Sequence, residues 1–443
     1  GFSRASFPFT LVARGSNLSF NGTMSFLFNH WEVSKVWYQI TQETSCCLRF
    51  DMWGLLDATY HRGRVKHSHE IRRAFSRELA DRMPTKPLDA LAEDYPGVDP
   101  SVFLSATAPE NRSWSGLVVD GINYVSGCPT RYGTYPYCES MRAGSDSTSK
   151  SAFAGIAMMR LAEKYDPDVP DFLIKDHVPE ALDSRGDWSN VTFGNTLDMA
   201  TGNYQSGGFL VDDENPNNPW WKNLIEEPGG FYYSNMIAAA FDMRNRRAPG
   251  GRWVYHTSDT FIVTRAMHNY LQSIEGPDAD IFEFVVDEVY KPLGMGPGAL
   301  TTLRSQDDDW QGQPFGGIGM WWIPDDLAKI ANFLNVDGGA IGGEQVLHRE
   351  ILAASLQRDP EDRGLTTRPA TDRERYNDSF WARRYSNVGG SGCTIWVPFM
   401  SGYNGMVIAL MPNGTSFYFS NDGRDFDFTV AMREADKITP YCQ

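Results

Sequence analysis

Gly144-Ser145-Asp146-Ser147-Thr148-Ser149-Lys150-Ser151 is the stretch on which the reading of this chain turns. It opens a segment, 148–164, in which Phe153, Ile156, Ala157 and Leu161 fall at i, i+3, i+4 and i+8, the spacing of an amphipathic helix. Ser147 and Lys150 stand three residues apart at its start, nearly one helical turn, so their side chains face the same way. A serine hydroxyl is a weak nucleophile until a base takes its proton. Lysine can be that base only when neutral, and burial near the positive end of a helix lowers its pKa. The free backbone N–H groups of a helix start can also stabilise a developing oxyanion. Taken alone, the pair more often marks a Ser-rich helix cap followed by a surface lysine. The rest of the chain has to decide.

Outward from this segment, Ser115–Val125 is strand-like and punctuated by glycine, and a helix opens at Ser258-Asp259 with Ile262, Ala266 and Tyr270 on one face. Another helix begins at Pro324-Asp325-Asp326, with proline in the first turn and acids at the positive helix end. The C-terminal part reads strand (Met406–Met411), turn (Asn413-Gly414), strand (Ser416–Phe419) and helix (about 427–436). Strands with helices against their faces predict an α+β, layered α/β architecture. Residues 1–165 form the N-terminal part of the α/β layer and carry the Ser147 helix. Residues 166–300 form an inserted, mostly helical subdomain, and 301–443 complete the layer.

Ser147-Thr-Ser-Lys-Ser-Ala-Phe-Ala-Gly155 resembles the nucleophile segment of the serine β-lactamase and penicillin-binding-protein-like superfamily. The branch it is most similar to is the class C-like esterases and amidases, including the nylon-oligomer hydrolases. Further matches follow in the family's chain order: Trp188–Gly202, Pro249–Thr260 with its Tyr-x-Asn or Tyr-x-Ser element, Lys291–Met295, Pro324–Ala331 and Ser401–Met406. The resemblance covers about 145–425, and five ordered matches are far more specific than one S-x-x-K pair.

Carried over residue by residue, the resemblance implies Ser147 as nucleophile, Lys150 as its general base and Tyr255 as the phenol that shuttles protons to the leaving group. It places the oxyanion on the backbone N–H groups of Ser147 and Tyr403 and puts Thr257 and Gly402 at the substrate; Tyr204, just after the Trp188–Gly202 segment, reads as pocket lining or, as bulky loop aromatics more often are, as simple cover. No cofactor or metal is implied. Thr257 stands where class C enzymes and peptidases have Asn, and Met400-Ser401-Gly402 stands where Lys-Thr-Gly would grip a β-lactam or peptide carboxylate. That departure argues against true β-lactamase or cell-wall peptidase activity. The expected function is a secreted serine hydrolase cleaving an ester or amide of a small-molecule or peptide-like acyl substrate. The alternatives are an acyltransferase or a catalytically inactive binding relative of the same fold. The first ~110 residues have no counterpart in the resemblance.

The chain has 443 residues and a formal net charge of −16. Such a field disfavours phosphate backbones and anionic lipid heads as partners, so neither nucleic acid nor a membrane is expected. No apolar run approaches the ~20 residues that cross a bilayer. Six cysteines lack zinc-type spacing, and Cys128 and Cys138 are close enough to staple a loop, while adjacent Cys46 and Cys47 read as pairing outward. Six sequons, at Asn17, Asn21, Asn111, Asn190, Asn377 and Asn413, exceed the roughly three that chance gives and mark glycosylation candidates. Gly1-Phe-Ser-Arg lacks an initiator Met and an apolar h-region, which reads as a mature secreted form with its signal removed. His67, His69 and Glu70 sit among Arg62, Arg64 and Lys66, which would repel a cation. Asp212-Asp213-Glu214 and Asp307-Asp308-Asp309 lack EF-hand spacing and read as solvated loops.

Overall fold

The run Met406–Leu410 carries no polar alternation, the pattern of a strand covered on both faces. In the computed structural model it lies inside a nine-stranded sheet with helices on either side. The structure describes residues 1–13, 17–43, 51–225, 231–306, 312–389 and 392–442. The chain begins with four antiparallel strands, β1 (Ser3–Val12), β2 (Ser19–Phe28), β3 (Val36–Glu43) and β4 (Met52–Leu56), which form a separate sheet in sequential order. Helix α1 (Ser68–Ala80) and strands β5 (Thr85–Pro87), β6 (Arg112–Val119) and β7 (Ile122–Val125) follow. The predicted single strand Ser115–Val125 is thus a hairpin, reversed at Asp120-Gly121.

The predicted helix 148–164 begins with a π-turn at Lys150–Gly155 and continues as α2 (Ile156–Lys164). Between residues 166 and 300 the described residues form helices and loops with no strand longer than an isolated bridge, and the long helix there is α3 (Thr257–Glu275). Helix α4 (Pro324–Asn335) starts at the predicted proline. Strands β8 (Leu365–Thr366), β9 (Glu374–Asn377), β10 (Phe380–Val388), β11 (Cys393–Gly402), β12 (Met406–Leu410) and β13 (Ser416–Asn421) then lead to α5 (Thr429–Ala435). The large sheet runs β8-β9-β10-β11-β12-β13-β6-β7-β5, antiparallel except for the β5–β7 pair. N- and C-terminal segments therefore meet at the β13–β6 seam.

Alternate residues serve two cores. Ile408, Leu410 and Tyr418 join the side that holds Phe153 and Ile156 of the Ser147 helix with Leu327 and Ile330 of α4. Val407, Ala409, Phe417 and Phe419 pack on Phe428, Ala431 and Met432 at α5. The sheet is a buried slab, and the Ser147 helix rests on it.

Disulfides join Cys128 to Cys138 and Cys393 to Cys442. Cys46 and Cys47 lie outside the described residues, as does Asp307-Asp308-Asp309. No helix among the described residues is long and apolar enough to cross a membrane. The sequons require a correction. Asn17, Asn21 and Asn377 are buried, and their amide nitrogens donate to the carbonyls of Met320, Arg142 and Asp362. A glycan needs that nitrogen at the surface, so these three positions are structural. Asn190 is exposed, Asn111 is half-buried, and half-buried Asn413 donates to the carbonyls of Ala435 and Thr439.

Candidate active site

A two-residue ladder, Ala143–Gly144 against Trp321–Trp322, delivers the chain to Ser147. A Cβ on Gly144 would lie 1.8 Å from the Asn17 carbonyl oxygen, so only glycine lets the N-terminal segment close over this point. Asn17 then binds the turn with its own amide. Its Oδ1 accepts from Asp146 N–H (2.7 Å), Ser145 Oγ (3.1 Å) and Gly319 N–H (3.1 Å), while its Nδ2 donates to the Met320 carbonyl (3.0 Å). The Asp146 backbone is left-handed, φ 43°. Burial raises its carboxyl to about 7, opposed by the N–H and side-chain amide of Asn404, which donate to it.

The turn leaves Ser147 half-exposed above a buried Lys150. Lys150 Nζ lies 2.8 Å from Ser147 Oγ, 3.0 Å from Thr257 Oγ1 and 3.4 Å from the Gly317 carbonyl. Burial lowers this amine from the ordinary lysine range to about 8, with Asp213 and Asp146 holding it from falling further. A neutral amine there has two hydrogens for Thr257 and Gly317 and one lone pair for the serine proton.

Tyr255 presents its ring to the same amine, Nζ lying 4.9 Å from the ring centroid, within an aromatic cluster of Trp253, Tyr376 and Trp381. Burial, reinforced by Asp213 and Asp146, pushes the phenol well above its usual range, with only the Ser147 hydroxyl opposing. Tyr255 is therefore a held proton rather than a base at neutral pH.

Asp212-Asp213, expected as a solvated loop, is part of this assembly. Asp213 accepts from Thr257 N–H (2.7 Å) and from Thr257 Oγ1 (3.1 Å), which makes a continuous chain Ser147–Lys150–Thr257–Asp213. Asp212 accepts from the N–H groups of Gln205 and Ser206 and pairs with His256 Nε2 at 3.0 Å. Although burial opposes its charge, His256 is held protonated by Asp259 and Asp212, with its pKa raised to about 10. The two acids grip Tyr255-His256-Thr257 from behind.

Ser147, Tyr255, Asp213 and Tyr403 open onto one cleft of about 740 Å³. Phe209, Trp221, Trp381, Phe399 and Phe426 give it aromatic walls, and Arg368, Arg383 and Arg424 also line it. Among the described residues no protein acceptor is bonded to the N–H of Ser147 or of Tyr403. Gly402 brings the Tyr403 turn against the Ser147 turn, since a Cβ there would sit 2.8 Å from the Ser145 carbonyl oxygen. Thr257 is buried behind Lys150 rather than facing substrate. Tyr204 is also buried, outside the cleft lining, with the Arg252 guanidinium over its ring. This position fits the cover reading of Tyr204 rather than the pocket-lining one. No group of His, Cys, Asp or Glu among the described residues is arranged to hold a metal ion.

No family model matches the sequence, and no curated protein matches it. Solved structures do match in fold. A putative 6-aminohexanoate-dimer hydrolase from Bacillus anthracis aligns over 80% of each chain (TM-score 0.51, 16% identity). A D-stereospecific amidohydrolase from Streptomyces sp. aligns over 77% of this chain and 98% of its own (TM-score 0.52, 13% identity). EstCE1, described as a hydrolase with promiscuous acyltransferase activity, aligns over 84% and 100% (TM-score 0.52, 13% identity). The chain has the β-lactamase/transpeptidase-like fold that its ordered motifs imply.

Proposed function

We propose that this protein is a secreted serine hydrolase that cleaves an ester or amide bond through an acyl-enzyme on Ser147. The observation that carries the reading is the 2.8 Å contact between Ser147 Oγ, at the cleft, and the buried Lys150 amine, whose pKa burial lowers to about 8. Neutral Lys150 takes the hydroxyl proton as Ser147 attacks the carbonyl. The tetrahedral oxyanion rests on the N–H groups of Ser147 and Tyr403. Tyr255, kept protonated by its surroundings, donates to the departing oxygen or nitrogen and is recharged from Lys150. Water then repeats the sequence in reverse and frees the acid. Thr257, buried behind the amine, fixes its position and is itself held by Asp213.

The aromatic walls favour an apolar acyl or leaving group. Met400 is fully buried in β11, so this strand offers no cation where Lys-Thr-Gly would supply one, against β-lactam hydrolysis. The amide reading draws support from the name of the Streptomyces amidohydrolase, and the hydrolase reading from the description of EstCE1, which also keeps acyl transfer as the alternative. The two disulfides are in keeping with secretion. The test is labelling with a fluorophosphonate probe beside turnover of p-nitrophenyl esters, amino-acid amides and nitrocefin. Ser147→Ala abolishes labelling and turnover, and Lys150→Ala lowers turnover by about 10³-fold or more, because the pair acts as a unit. Turnover surviving Ser147→Ala refutes the proposal.

A further inference from the structure

Helix α1 is amphipathic yet covers nothing: no residue of it is buried. Ile71, Phe75 and Leu79 fall at i, i+4 and i+8, a single stripe, and are 57%, 55% and 45% exposed. Apolar side chains of this size on one stripe are ordinarily the face by which a helix packs. Arg73 and Arg77 project from the opposite side, and the stretch Tyr60–Arg82 carries seven Arg or Lys against three acids in a chain of net charge −16. The expectation of no membrane partner averaged that charge over the whole molecule. At physiological ionic strength screening acts over about 8 Å, so this segment meets a surface with its own sign.

The strand that leads into the segment has the same character. On one face of the N-terminal sheet Trp37 of β3 lies directly across from Leu55 of β4, and Trp53 stands two residues along. Trp37, Trp53 and Leu55 are 67%, 68% and 52% exposed. Tryptophan is the side chain that settles at the boundary between lipid and water. A cationic, amphipathic helix following such a face has the composition of an element that lies in a bilayer interface, with basic residues toward the headgroups and the apolar stripe among the acyl chains.

We infer that the stretch Trp53–Arg82 docks this protein peripherally on an anionic lipid surface. Charge complementarity selects this occupant over a second copy of the chain, because the seven cations against three acids of Tyr60–Arg82 attract anionic headgroups and repel the same segment of another copy. The inference is independent of the chemistry at Ser147.

Co-sedimentation of the full-length protein with vesicles tests it. Phosphatidylcholine vesicles with 30% phosphatidylglycerol should bind the protein at least tenfold more strongly than pure phosphatidylcholine, and 0.5 M NaCl should remove most of that gain. Phe75→Asp and the double variant Arg72→Glu/Arg73→Glu should each weaken binding at least tenfold, with melting temperature and hydrolysis of a soluble ester unchanged. Absence of binding to the anionic vesicles overturns the inference. So does binding that Phe75→Asp leaves intact, which would mark simple adsorption of a polyanion-binding patch. A wild-type dimer in solution that Phe75→Asp dissolves would assign the stripe to a second copy instead.

Discussion

Asp213→Asn isolates the electrostatics of the site while leaving its shape. The amide keeps an oxygen for Thr257 N–H and offers a nitrogen to Thr257 Oγ1, so Lys150 stays in place. The charge is lost, and the threonine hydroxyl, which donates to the carboxylate, accepts from the amide instead. Two hydrogen bonds of 3.0 and 3.1 Å through the same threonine oxygen put the carboxylate within about 6 Å of the Lys150 amine. At an effective dielectric constant near 20, opposite charges at that distance attract by about 3 kcal/mol, equivalent to about two pKa units. Asp213 is half-buried and faces the open cleft, where water weakens the attraction, so about one unit is the expected effect. The carboxylate favours the protonated amine, and removing it must lower the pKa. The acidic limb of kcat/KM against pH, followed with a p-nitrophenyl ester, should lie near 8 in the wild type and near 7 in the variant, reflecting the free enzyme's base. A limb that stays put, or moves to higher pH, would show that Lys150 is not the group being titrated.

Tyr255→Phe should slow amide hydrolysis by about 10²-fold or more but p-nitrophenyl ester hydrolysis by less than about tenfold, since an activated leaving group hardly needs a proton; equal losses on both substrates would contradict its role as acid. Because the folded pKa of His256, about 10, lies above its ordinary 6.5, its contribution to stability is complete below pH 6.5 and is lost as pH rises through 10. Thermal melts should therefore fall across that window. His256→Gln should remove that slope and cost about 3 kcal/mol by leaving Asp212 beside an uncharged partner; a wild-type melting temperature that is flat from pH 7 to 10 counts against this. In protein secreted from a eukaryotic host, glycopeptide mass spectrometry should find Asn190 occupied and Asn17, Asn21 and Asn377 bare, and a glycan on Asn17 is incompatible with the site as described. Replacing Cys128 and Cys138 with serine should cost about 2–3 kcal/mol by chemical denaturation, the effect of opening a ten-residue loop, and no loss would show that the loop is constrained without the bond.

What was legible in the sequence is what is local. Ser147 and Lys150 share one helical turn, and Tyr255 stands two residues before Thr257, the first residue of α3, so spacing alone brings each pair together. The strands Met406–Leu410 and Ser416–Asn421 were legible because burial on both faces leaves an unbroken apolar run in the first and the aromatic run Phe417–Phe419 in the second, with Asn413-Gly414 marking the turn between them. Asp213 was not, because its partner Thr257 lies 44 residues away and nothing near Asp212-Asp213-Glu214 distinguishes a buried clamp from a solvated acidic loop. The sequons failed for the related reason that Asn-x-Ser/Thr is a local pattern, whereas burial of Asn17 and Asn377 is decided by distant chain. Tyr204 was open between pocket lining and cover because proximity in sequence to a family segment does not say which way a loop side chain turns, and the fold turns it inward beneath Arg252.

The hydrogen bonds of Asn17 to Ser145, Asp146, Gly319 and Met320 span 128 to 303 residues of chain. For a polypeptide emerging from the ribosome this separation is a delay. At 5–20 residues per second, residue 17 waits roughly 15 to 60 s for residue 320 to be made. During that interval the N-terminal strands can bond to Tyr135, Arg142 and Ser145, but not yet to Gly319 and Met320. Closure around Ser147 joins the regions near residues 17, 145 and 320 in one late, long-range event, and with the Tyr403 N–H still to come the site is complete only after about nine tenths of these 443 residues are made.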